Sequence, residues 1–149
     1  GAENSKSNLF ENSICILTKT DMINSNALLK VKKLWLSLGA KIMVTTPKEH
    51  DKITAQISHL PHFLAMGLCL TVDKSALKFA SSGFKDTTRI AASTSELWSD
   101  IFLYNKEALL KSVNKLEVNL KKLKTLINGN KRELLFKELK KAKLIRQRL

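Results

Sequence analysis

The sequence predicts a mainly α chain that opens with one short βαβ unit. Apolar residues recur at helical spacing over most of residues 47–149. Two short apolar runs, 13–18 and 41–46, flank a helical stretch near the N-terminus. The hydrophobic fraction, 44% of 149 residues, is that of a chain able to bury a core, which argues against disorder.

Residues 13–18 read as a buried strand. Residues 25–38 place Leu28, Leu29, Val31, Leu34, Trp35 and Leu38 at helical spacing, with lysines at 30, 32 and 33 on the other side. Gly39 stands where a helix stop is favoured. Residues 41–46 read as a second strand, and two strands this short need a larger sheet to join. Pro47 suits the first turn of a helix running to about Val72, with Glu49 and Asp51 near its positive end. Pro61, inside that helix, removes one backbone hydrogen bond and predicts a kink near Gln56–Ile57. A short helical stretch ends near Ile90, and Ser93 with Glu96 forms a candidate capping box for the next helix. Phe102, Leu109, Leu116 and Leu123, with Val113, Leu120 and Ile127 between them, make a heptad seam. Asn128-Gly129-Asn130 ends it, and residues 131–149 form a last amphipathic helix. Such a seam must bury against a hairpin partner, a second copy of the chain, or both.

Cys15 and Cys69 lie in separate apolar runs and read as reduced core thiols of a cytoplasmic protein. The longest uninterrupted apolar run, Phe63 to Leu70, is too short to span a bilayer, so no membrane partner is expected. The polar opening residues carry no secretory signal, and the missing initiator Met marks a processed or partial chain. The formal net charge is +13. From Lys106 onward there are fourteen Lys and Arg against four Glu, so the excess belongs mainly to the C-terminal helices. That face could meet nucleic acid or anionic lipid. The interleaved aromatics of nucleic-acid binders are missing, and a solvated helix surface is favoured.

Ser58-His59-Leu60-Pro61-His62 is the stretch richest in chemistry. Ser58 and His62 share a helix face, as do His59 and His62. Four readings stay open: a metal site with His50, a Ser–His hydrolase pair, anchoring of a substrate by hydrogen bonds, and simple capping of backbone groups. No cysteine is spaced as a ligand and no Gly-x-Ser-x-Gly elbow is present, which disfavours the first two. Arg89, the only arginine before residue 132, sits among Thr87, Thr88, Ile90 and Ala91. In so apolar a setting it calls for a carboxylate or phosphate, or for an ion pair with an acid such as Asp86. Trp98 by itself reads as core, as does Trp35.

Taken together, His50-Asp51, Ser58-His59-Leu60-Pro61-His62, Gly83-Phe84-Lys85-Asp86-Thr87-Thr88-Arg89-Ile90-Ala91, Leu97-Trp98-Ser99-Asp100-Ile101-Phe102 and Asn105-Lys106 resemble the prephenate dehydrogenase family. Gly1-Ala2-Glu3-Asn4-Ser5 resembles the end of that family's His-Pro-x-x-Gly segment and the residues after it, with Gly1 as the final glycine. The resemblance covers nearly the whole chain. It implies a mainly α fold: a helical dimerisation domain, residues 47–149, preceded by the end of a Rossmann-type nucleotide-binding domain, residues 1–46. It implies oxidative decarboxylation of prephenate, or of arogenate, with NAD or NADP, on the way to tyrosine. The catalytic histidine would lie upstream of Gly1, and the glycine-rich cofactor loop is missing too. The chain alone is therefore expected to be inactive.

By the same resemblance Arg89 would pair with a substrate carboxylate. Ser58 and His62 would hydrogen-bond the substrate, Asp86 would share the site, and Trp98 would reach into the partner subunit's pocket. His59 is a further candidate without an assigned role. The expected partners are a second copy of the chain and a small dicarboxylate, with neither metal nor nucleic acid. Ser81-Ser82, Lys85 and Lys6 stand where family members often have glycines, arginine and glycine. The rival reading is a non-enzymatic basic helical module that dimerises or binds nucleic acid.

Overall fold

The computed structural model describes residues 8–149. The Gly1–Ser5 segment and Lys6, which entered the resemblance, lie outside them. The chain divides into two compact units, Gly1–Ile57 and Ser58–Leu149.

In the first unit β1 (Ile14–Thr18) and β2 (Lys41–Thr45) pair in parallel, Ile14 opposite Lys41 and Thr18 opposite Thr45. α1 (Ser25–Ser37) is the crossover. Its start is fixed by Asn24, whose side chain accepts from the backbone N–H groups of Asn26 and Ala27 at 2.9 and 3.1 Å. Its end is fixed by Gly39 at φ +82, where a Cβ would lie 3.2 Å from the Glu11 Cα. Trp35 packs edge-on against Phe10, with ring centroids 5.1 Å apart. α2 (Pro47–Thr54) begins with Thr46 accepting from the Glu49 N–H at 3.2 Å and Pro47 in the first turn.

The Pro61 distortion takes a defined form. Pro61 offers no N–H to the carbonyl four residues back, and the helix widens into a π turn over Ala55–His59 before α3 (Leu60–Thr71). From Pro47 to Thr71 the helical path is long and apolar enough to cross a membrane, by length and composition alone. The short Phe63–Leu70 run did not show this, because continuity of the helix sets the length that matters.

In the second unit α3 packs against α5 (Ser82–Thr88), against the 3₁₀ turn Arg89–Ala92 and against α7 (Lys106–Asn128). A short helix, α4 (Lys74–Leu77), precedes α5, and α6 (Ser95–Tyr104) packs on α7. α8 (Arg132–Arg146) folds back on α7. Leu109 and Val113 of α7, Trp98 of α6 and Ala65 of α3 are buried. Among the described residues no large side chain is fully buried, and many large apolar groups stay exposed, Leu70, Leu103 and Leu120 among them.

Three local expectations are corrected. α6 starts at Ser95, and Ser93 makes no capping box: its hydroxyl donates to the Ile90 carbonyl at 2.7 Å, closing the 3₁₀ turn instead. The heptad seam does not run through Phe102, because the helix breaks at Asn105 and Phe102 belongs to α6. Cys69 is exposed, because α3 is apolar on more sides than this chain covers.

Candidate functional site

The π turn sets the geometry of the site. It leaves the Ser58 carbonyl within reach of a side chain one turn on, and the His62 Nδ1 lies 3.0 Å from it. A carbonyl oxygen can only accept, so Nδ1 carries the proton in that bond. One nitrogen of His62 thus caps backbone, as the plainest sequence reading allowed. The Ser–His nucleophile reading receives no support from this bond, which joins the ring to the Ser58 carbonyl and not to its hydroxyl.

The ring of His62 stacks on Trp98, with centroids 3.5 Å apart and planes 19° apart. His59 meets the same indole edge-on at 6.2 Å. Phe102, one turn after Trp98, tilts against it at 5.5 Å and in turn meets Phe63 of α3 edge-on at 5.9 Å. Each such aromatic pair contributes about 0.5–1.5 kcal/mol beyond its burial. Trp98 is only 8% exposed. Within one chain its ring is packed against His62. Asn105, at the break between α6 and α7, places its Nδ2 3.2 Å from the His59 Nδ1 and ties the π turn to the start of α7.

Arg89 and Asp86 come to α3 on the elements that pack against it. Thr88 is buried, and its hydroxyl donates to the Phe84 carbonyl at 2.7 Å, so the last turn of α5 is held where the chain tightens into the 3₁₀ turn. Arg89 follows directly and is exposed, not buried as its apolar neighbours implied. Among the described residues it makes no ion pair with a carboxylate, Asp86 included. Its guanidinium is therefore accessible to an anion. Ser58 is half-buried.

The metal reading receives no support: among the described residues no group of three or more His, Cys, Asp or Glu side chains could hold an ion. His50 bonds Asp51 at 3.0 Å in the first unit. Phe63, Phe102 and Asn105 were not singled out as site residues. The signal for Asn105 was present, since an asparagine near the start of a proposed seam is a natural helix boundary. Nothing in the sequence marked the two phenylalanines as joining the Trp98 cluster.

The arrangement packs two imidazoles against a buried indole and sets an exposed cation on a neighbouring turn.

Comparison with known proteins points the same way. Residues 46–141 match the family model described as prephenate dehydrogenase, dimerization domain. The chain is 34% identical to the prephenate dehydrogenase of Bacillus subtilis, over 96% of this chain and 40% of that protein. It is similar to the crystal structure of prephenate dehydrogenase from A. aeolicus in complex with hydroxyphenyl propionate and NAD+, with a TM-score of 0.90 and 37% identity over 99% of this chain and 54% of that one. Against the Synechocystis arogenate dehydrogenase structure the TM-score is 0.83, with 34% identity over 95% of this chain and 54% of that one. The chain spans about half the length, or less, of the relatives it matches.

Proposed function

The chain belongs to the prephenate dehydrogenase family, and we propose that it is the substrate-binding and dimerisation part of an NAD(P)-dependent enzyme of that family. The reaction would be oxidative decarboxylation of prephenate to 4-hydroxyphenylpyruvate, in tyrosine biosynthesis in the cytoplasm, with arogenate as the alternative substrate. The observation that carries this reading is the His62–Trp98 stack on a helix packed against the turn bearing Arg89. Arg89 would pair with a substrate carboxylate, His62 and Ser58 would hydrogen-bond the substrate, and Asp86 would tune the charge of the same site. Trp98 would reach the pocket of the partner subunit, and His59, held by Asn105, is a further candidate.

The cofactor supplies the hydride acceptor when bound. The described residues do not fit its phosphate cradle: the loop from Lys19 to Asn24, between β1 and α1, contains no glycine. We therefore assign the NAD or NADP site, and the catalytic histidine, to residues outside 8–149. What these residues do is bind, orient and screen the substrate from water.

The uncovered apolar surface of α3, α7 and α8 supports a homodimer. We take residues 1–46 as the end of the nucleotide-binding domain and 47–149 as the helical one. In the complete enzyme Arg89→Ala should lower kcat/KM by about 30- to 1000-fold, equivalent to roughly 2–4 kcal/mol of lost transition-state stabilisation. Unchanged kcat/KM would sink the assignment.

A further inference from the structure

The hydrogen bond that orients His62 also fixes what it can offer a ligand. Nδ1 donates to the Ser58 carbonyl. In the neutral ring Nε2 is then a bare lone pair, which accepts but cannot donate. A carboxylate is likewise only an acceptor, so neutral His62 repels it. The imidazolium is the form with a donor at Nε2. An imidazolium stacked 3.5 Å from an indole face is also a favourable neighbour for that face.

We propose that His62 recognises a carboxylate only as the imidazolium, so that the site takes up one proton together with the anion. This rests on the substrate-binding reading above and sharpens it: the ligand class is a carboxylate that binds with a proton, not a hydroxyl donated to neutral imidazole. The balance is simple. The proton comes from solvent, settles on Nε2 and is shared with the bound carboxylate oxygen, and no bond in the ligand breaks.

Charged and titratable groups on the packed elements include His59 in the π turn, Lys85 and Asp86 on α5 and Arg89 on the 3₁₀ turn. Glu96 and Asp100 flank Trp98 on α6, and Lys106 and Glu107 open α7. Arg89, on the turn packed against α3, disfavours a second positive charge on that helix. A bound dicarboxylate removes that opposition, and by linkage anion and proton favour each other.

Two measurements on the 149-residue chain test this. The first is ¹⁵N-histidine NMR at pH 8, where His62 should carry its proton on Nδ1. A ring protonated at Nε2 alone overturns the proposal. The second is calorimetric titration with 4-(2-carboxyethyl)benzoate, a stable aromatic dicarboxylate, between about pH 5 and about pH 9 in two buffers of different ionisation enthalpy. The dissociation constant should rise with pH, by up to about tenfold per unit where one proton is linked. Close to one proton should be taken up per ligand at the upper end. His62→Gln, whose amide donates without titrating, should bind with flat pH dependence and no uptake. Binding that is equally flat in the wild-type chain, or uptake that survives His62→Gln, overturns the proposal and leaves the substrate site standing. Absence of binding at every pH overturns the substrate-site reading and the proposal with it. If His62→Gln does not fold, the two-buffer measurement on the wild-type chain still decides.

Discussion

The two ends of the second unit solve opposite problems. Where α3, α6 and the start of α7 meet, aromatic rings close on one another, Trp98 is buried and the polar groups are hydrogen-bonded within the chain. Along the hairpin of α7 and α8, Leu120, Ile127, Phe136 and Leu139 stay exposed, and α8 has no buried residue. One ion pair crosses the hairpin: Glu138 of α8 lies 2.7 Å from Lys122 of α7, and also 2.7 Å from Lys141 of its own helix. The ring end closes on itself within one chain. The hairpin end leaves its apolar residues uncovered within one chain, a surface of the kind that favours a covering partner.

Three perturbations probe that contrast. The largest effect should come from Trp98→Ala, which empties the middle of the ring cluster. It should destabilise the chain by about 3–5 kcal/mol in denaturant unfolding. A cost below about 1 kcal/mol would mean that the rings are not a packing centre. Next, replacing Leu120 and Ile127 together by lysine should leave the ring cluster intact but dissociate a dimer. Each apolar side chain removed from an interface forfeits about 1.5–3 kcal/mol, so the dimer dissociation constant should rise by well over tenfold. Light scattering measures it, and a wild-type chain that is a stable monomer would break the comparison at its root. The same wild-type chain, dimeric or not, should show no dehydrogenase turnover.

The smallest effect concerns Glu138. Hydrogen bonds from Lys122 and Lys141 lower its pKa from 4.5 to about 2. A carboxylate whose folded pKa lies below its unfolded one adds stability that is fully present above the unfolded value. That stability disappears as pH falls from about 4.5 to about 2. Glu138→Gln should therefore flatten the acid limb of the thermal stability profile in that window and change little near neutrality. Because the carboxylate is partly exposed, added salt should shrink the difference.

Much of the fold was legible because it depends on neighbours in sequence. The βαβ unit, the Gly39 stop and the π distortion ahead of Pro61 follow from strand runs, a positive φ and a missing N–H. The capping box at Ser93 failed because a second local bond, to the Ile90 carbonyl, competed for the same hydroxyl. The continuous seam from Phe102 failed because the heptad period cannot distinguish one helix from two that meet at Asn105.

The site divides along the same line. The sequence by itself singled out the candidate side chains, since His59, His62 and Arg89 are scarce types in mostly apolar surroundings and helical spacing sets which histidine shares a face with which neighbour. Only the tertiary structure decided what each one can offer. Its contacts join residues far apart in sequence: His59 with Asn105, His62 with Trp98, Phe63 with Phe102. Exposure of Arg89 was likewise decided by how the 3₁₀ turn lies on α3, not by the identity of its neighbours. Helical periodicity is a local property of the backbone, whereas ring stacking and the exposure of a guanidinium depend on which surfaces meet.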